Sequence, residues 1–302
     1  MIKNINRPAA EFVLLEEQET TLDRPVGLDG ISVKGKPCRA EILPASAGHG
    51  VVFDVAGVLV PATLAAVVPG SLHTTVIGAA GATVRTVEHL LAAFAGLGLD
   101  NALIKVGADG IPFHDFSAQY FAERLASGGR RALEARRQGI RINEPISFTE
   151  EDGAREVAFR PSVAGRAIAE AITEFPAPVG RQIARFVHGE TDFSQEVAWA
   201  RSFVRTPLDA AGDKWSRVRR IFPMLPDDPA KSPLIAFDGN GYLTPLRQPD
   251  ELGRHKLLDF LGDYFLLGRR VIGEVRLLKP GHAFNVDTAR RLLELASAAG
   301  RG

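Results

Sequence analysis

A single cysteine, Cys38, stands in a chain of 302 residues, so no internal disulfide framework can staple it. A cysteine-based zinc knuckle is excluded for the same reason, and any metal must be held by histidine and carboxylate. Charge of either sign is not in excess: 36 Lys and Arg stand against 36 Asp and Glu, which argues against nucleic acid as a partner. The start, Met1 to Pro8, lacks an apolar core long enough for a signal peptide. The longest stretch free of Asp, Glu, Lys and Arg, Val55 to Val84, has the length to span a bilayer. Pro61, Pro69, His73 and several Gly and Thr break it, so no transmembrane segment is expected. These absences point to a soluble, cytoplasmic protein, expected as a monomer. Its hydrophobic content of 45% suits a real core, and its length allows two domains.

What the sequence does have is concentrated in Arg254 to Asp263. Read as a helix, this stretch places His255, Asp259 and Asp263 at i, i+4 and i+8, on one face. Leu257, Leu258, Phe260 and Leu261 fill the remaining positions, as in a helix packed into a core. An imidazole and a carboxylate one turn apart can reach a single divalent cation. The same pattern also fits a buried histidine making ordinary hydrogen bonds.

A second buried helix is expected from Thr86 to Gly96, with Thr86 as its N-cap and glycines 96 and 98 closing it. It opens on Glu88-His89. That pair could set His89 on a metal and Glu88 beside the water the metal holds; it also fits a helix-dipole carboxylate next to a core histidine. Asp115, in a turn before a helix at 117–126, could cap that helix or shape a substrate pocket. His73, His114 and His188 read as strand, packing and surface residues. Residues before Asp23 give no firm element, Pro25 to Gly30 reads as a turn, and basic Arg130 to Arg137 reads as a domain junction. Pro176 to Glu190 shows little regular period.

The two halves echo each other: strands, a buried helix near a His, a strand, a turn and a second helix. The expected fold class is therefore α+β, with two similar β-α-α-β domains at 1–134 and 135–302 forming a sandwich with helices packed between two sheets. Burying both apolar helices face to face would bring His89 to the His255/Asp259 pair. Three protein ligands plus water is the pattern of a catalytic zinc site.

At these residues the chain resembles the UDP-3-O-acyl-N-acetylglucosamine deacetylases, zinc amidases of lipid A synthesis. The family's T-V-E-H-L…A-L-A-G-L-G-x-D-N run appears as Thr86 to Asn101, its R-H-K-x-L-D-x-x-G-D as Arg254 to Asp263, and its G-H-A-x-N as Gly281 to Asn285. The family's A-R-T-F is similar to Ala200-Arg201-Ser202-Phe203, and its R-P-A…G-V-x-F to Leu43-Pro44-Ala45 through Phe53. The resemblance implies zinc, or iron(II), on His89, His255 and Asp259, with Glu88 as general base. It implies Ser202 at the oxyanion, His282 held by Asp263 as the acid, Lys256 adding positive charge, and Phe203 and Asp115 at the substrate. The implied partner is a small amino sugar, UDP-linked and acylated in the family.

The departures lie around the substrate rather than the chemistry. The family's G-L-H-S-G histidine corresponds to Lys34, in a loop one residue shorter, and its G-G-S-L-D-N-A is replaced by Lys231 to Phe237. The D-G-S turn reads Asp115-Phe116-Ser117, and Thr becomes Ser at 202. Two alternatives follow: a relative acting on a different, non-acylated N-acetyl sugar, or a non-catalytic binding module.

Overall fold

Alternating apolar residues and Gly- or Pro-marked turns build a strand-rich first half, seen in a computed structural model that describes residues 8–299 except 33–34, 72, 108–109, 151, 164, 178 and 206–213. Lys34 lies outside the described residues. The first half runs β1 (Ala10–Leu22), β2 (Val26–Ile31), β3 (Pro37–Pro44), β4 (Val51–Val55), β5 (Val58–Pro61), β6 (Val76–Ala79), β7 (Ala82–Arg85), α1 (Glu88–Leu97), β8 (Ala102–Val106) and α2 (Gln119–Ser127). The second half runs β9 (Arg130–Ile142), β10 (Ile146–Thr149), β11 (Glu156–Arg160), β12 (Ala167–Glu174), β13 (Arg181–Val187), α3 (Phe193–Glu196), β14 (Phe203–Arg205), α4 (Lys214–Ile221), β15 (Ile235–Asp238), β16 (Gly241–Tyr242), α5 (Glu251–Phe265), β17 (Arg270–Leu278) and α6 (His282–Ala299).

The fold is α+β, a sandwich of sheets with helices between. One sheet has the order β2-β3-β8-β4-β5; the larger one runs β1-β9-β17-β11-β10, with β12 and β13 joined through β17. A single hydrophobic cluster passes from Leu28, Ile42, Phe53 and Ile104 through the helices to Ile140, Phe159, Phe186 and Leu277. In the middle, α1 packs directly on α5. Residues 88–94 of α1 are all buried, as an all-round apolar helix requires. Fully burying Leu90, Leu91 and Phe94 contributes about 1.5–3 kcal/mol each.

Several segments differ from the sequence reading. Ala10–Leu22, within the stretch that gave no firm element, and the basic stretch after Gly129 form the β1/β9 ribbon, with Phe12 opposite Ile140 and Thr21 opposite Arg131. Solvent-facing arginines hid the alternation of β9, while Arg137 turns inward and binds Asp100 through two 2.8 Å hydrogen bonds. Residues 26–31 are a strand, not a turn. In β13 the buried positions include Gln182, while Ile183 is half-exposed; the inverted polarity erased the strand signal. Gln182 is satisfied internally, accepting from Gly253 N at 2.7 Å and donating to Pro249 O at 3.0 Å. Thr86 is not the N-cap of α1. It sits at φ 58°, and Val87 holds the cap position without a side-chain cap.

Candidate active site

The start of α1 and the middle of α5 meet because Gly262 has no side chain: a Cβ there would overlap the backbone carbonyl of Glu88. This crossing brings His89 from the first half beside His255 and Asp259 from the second. One ligand atom from each of these three buried residues lies within 4.8 Å of the others. The two imidazoles meet edge to face with ring centroids 5.2 Å apart.

Two of the three donors are aimed from behind, His255 and Asp259, whereas His89 Nδ1 is buried with no hydrogen-bond partner among the described residues. His255 Nδ1 lies 3.1 Å from the carbonyl of Ala200, which can only accept, so Nδ1 carries the proton and Nε2 faces the cluster. Burial lowers the His255 pKa to about 3, keeping the imidazole neutral and available as a ligand. Asp259 Oδ1 stands 3.3 Å from His255 Nε2 and 3.7 Å from His89 Nε2. Its other oxygen accepts from Lys256 Nζ at 2.7 Å. Burial opposes the charge on Asp259, but His255, Lys256, His282 and His89 outweigh it and hold the carboxyl below its usual range. Oδ1 itself is buried with no hydrogen-bond partner among the described residues. An orphaned carboxylate oxygen facing two imidazole nitrogens is a cost that a divalent cation would remove, so these residues fit a metal ion.

The segment before β14 is fixed to the start of α5 by a buried ion pair. Arg201 Nε donates to Glu251 Oε1 at 2.7 Å and Nη2 to Oε2 at 3.0 Å, and Arg201 also reaches Ser232 O and Pro245 O. The flanking residues are thereby placed: Ala200 behind His255, and Ser202 with its Oγ 3.5 Å from His89 Nε2. Phe203 stands against the His255 ring at 5.8 Å, with the Lys256 ammonium 5.1 Å from its centroid.

Two further titratable groups border the trio. Glu88, fully buried, has its pKa raised, chiefly by burial. Its Oε1 accepts from Thr74 Oγ1 at 2.7 Å and its Oε2 from Thr75 N at 2.9 Å. His282, the first residue of α6, points Nε2 to within 3.7 Å of Asp259 Oδ2. Its Nδ1 lies 3.0 Å from Asp263 Oδ2, which also accepts from Asn285 Nδ2 at 2.9 Å. Burial works against charge on His282, yet Asp263 and Asp259 prevail and raise its pKa to about 9. A buried carboxylate and an imidazolium thus border one candidate metal nest.

Asp115 is engaged elsewhere: Oδ1 accepts from Ser117 Oγ at 2.7 Å, and Oδ2 pairs with Arg247 at 2.8 Å. His114 stacks on Tyr120 with centroids 3.7 Å apart. The sequence reading missed Thr74 and Thr75, which precede an ordinary strand and carry no motif. It passed over Glu251 as well, although Glu251 sits one turn ahead of His255 on the same face.

The sequence model of the UDP-3-O-acyl N-acetylglycosamine deacetylase (LpxC) family matches residues 19–294. The chain is 34% identical over 282 residues to a UDP-3-O-acyl-N-acetylglucosamine deacetylase of Solibacter usitatus, covering 91% of each. It is 34% identical over 283 residues to one of Myxococcus xanthus, covering 91% of this chain and 86% of that protein. The chain belongs to this family.

Proposed function

From the family and the geometry together, we propose that this chain is a zinc-dependent deacetylase that removes acetyl from the amide nitrogen of an N-acetylglucosamine-type sugar, with UDP-3-O-acyl-N-acetylglucosamine as substrate. The observation that carries the reading is the unpartnered Asp259 Oδ1 between two imidazoles, with Glu88 and His282 on its border. Two imidazoles and one carboxylate suit zinc, with iron(II) as the alternative. When bound, such an ion supplies Lewis acidity to the amide carbonyl and acidifies water.

The chain's own residues supply the proton traffic. Glu88 takes a proton from the attacking water as its oxygen bonds to the acetyl carbon. The Ser202 hydroxyl donates to the oxygen that gains charge, with Lys256 adding positive charge nearby. His282, held by Asp263, gives its proton to the leaving nitrogen as the C–N bond breaks, leaving acetate and a free amine. Phe203 offers an apolar wall beside the reacting centre.

The test assays purified protein against the acylated UDP-sugar and against plain N-acetylglucosamine. Acetate release from the acylated nucleotide sugar alone is the expected result. Release from the plain sugar would assign a different substrate, in keeping with the altered segment at 231–237. No release from either, with metal bound, would overturn the enzyme reading.

A further inference from the structure

The hairpin β6–β7 ends beside the start of α1. Its two-residue turn, Ala80-Gly81, has φ values of 46° and 86°, and its register sets Val76 opposite Arg85. This register carries the two residues before β6, Thr74 and Thr75, up against Val87 and Glu88. Val87 N donates to Thr75 O at 3.3 Å, which fastens the strap to the helix start.

The strap then grips the proposed base and the holder of the proposed acid. Thr74 Oγ1 and Thr75 N donate to the two oxygens of Glu88. Thr75 Oγ1 donates to Asp263 Oδ1 at 2.5 Å, on the carboxylate whose other oxygen faces His282 Nδ1. The hydroxyl has a single proton, and with Asp263 already taking the His282 Nδ1–H, that proton goes to Asp263. Thr75 is 3% exposed, so water does not compete for the bonds that residue makes. Glu88 lies on α1, Asp263 on α5 and His282 on α6. One dipeptide therefore ties together three elements that carry the proposed base, the proposed acid and the acid's holder.

We infer that Thr74-Thr75 is a positioning strap that fixes the Glu88 carboxylate relative to the Asp263–His282 pair, so that proton removal from water and proton delivery to nitrogen occur in register. The inference rests on the deacetylase reading for its consequence in turnover and on the hydrogen bonds for its existence. Glutamate has three rotatable bonds, and two donors from one rigid strand end remove that freedom before substrate arrives.

The experiment replaces Thr75 with valine, which keeps the shape and the backbone N–H but deletes the donor to Asp263, and with serine, which restores the hydroxyl. Thr75→Val should lower kcat about 10–100-fold, leave KM within about threefold and keep the wild-type metal stoichiometry, whereas Thr75→Ser should recover most of kcat. Thr74→Val, at a half-buried position, should lower kcat about 10-fold by freeing Glu88, and it tests the strap even if Thr75→Val does not fold. An activity-independent readout is the histidine ¹⁵N spectrum of the metal-free protein, in which Thr75→Val should shift the His282 Nδ1 resonance and Thr75→Ser should not. Wild-type kcat in both valine variants, a loss that tracks metal content, or an unmoved His282 resonance would overturn the strap. An inactive wild type would overturn the deacetylase reading instead, and the ¹⁵N comparison would still decide the strap.

Discussion

At the scale of single residues, the two buried carboxylates Glu88 and Asp259 do different work because their surroundings differ. Cations and imidazoles crowd Asp259, whereas Glu88 is set mainly by its burial. A carboxylate made more basic by burial is suited to accept a proton near neutral pH. Glu88→Gln should therefore keep one metal ion per chain and lose about 10²–10⁴-fold in turnover, read by metal analysis alongside acetate release. His89→Ala should lose the metal itself. Retained turnover in Glu88→Gln would remove that residue from the base role.

At the scale of elements, the site depends on one helix crossing and one ion pair. Gly262→Ala puts a methyl group into the Glu88 carbonyl and should destabilise the protein by about 1–3 kcal/mol, measured by urea unfolding, while also displacing the base. The Arg201–Glu251 pair has side-chain exposures of 7% and 0%, so Glu251→Ala leaves a buried cation uncompensated. It should cost about 3–5 kcal/mol and weaken metal binding, because the Ala200 carbonyl that orients His255 sits on the same segment. The elements that carry these residues were the legible ones. The period of His255, Asp259 and Asp263 and the apolar run after Glu88 identify α5 and α1, with ends displaced by a residue or two. Elements whose side chains oppose their burial were not legible: β13 buries Gln182 and exposes Ile183, and β9 carries five arginines, of which only Arg137 turns fully inward. His282 opens α6 in the structure, a position that the Gly281-to-Asn285 run does not mark as a helix start. The strap at Thr74-Thr75 joins Glu88, close by in the chain, to Asp263, 188 positions beyond Thr75, and no local pattern encodes that second contact.

At the scale of the whole molecule, a metal ion would be a clasp between the halves, because α1 comes from the first half of the chain and α5 from the second, and the two share one core. Ligand binding to the folded state alone stabilises it by mass action, about 2.7 kcal/mol when free metal exceeds its Kd 100-fold. Chelation should therefore lower Tm measurably and zinc should restore it in the wild type but not in His89→Ala. No described helix is long and apolar enough to cross a membrane. The most direct test of the central claim is an anomalous-scattering map at the zinc edge from crystals of the zinc-loaded protein. The expected result is one peak about 2.0–2.2 Å from His89 Nε2, His255 Nε2 and Asp259 Oδ1, with a fourth position facing solvent. A peak away from these three atoms, or one enclosed by four protein ligands, would contradict the account.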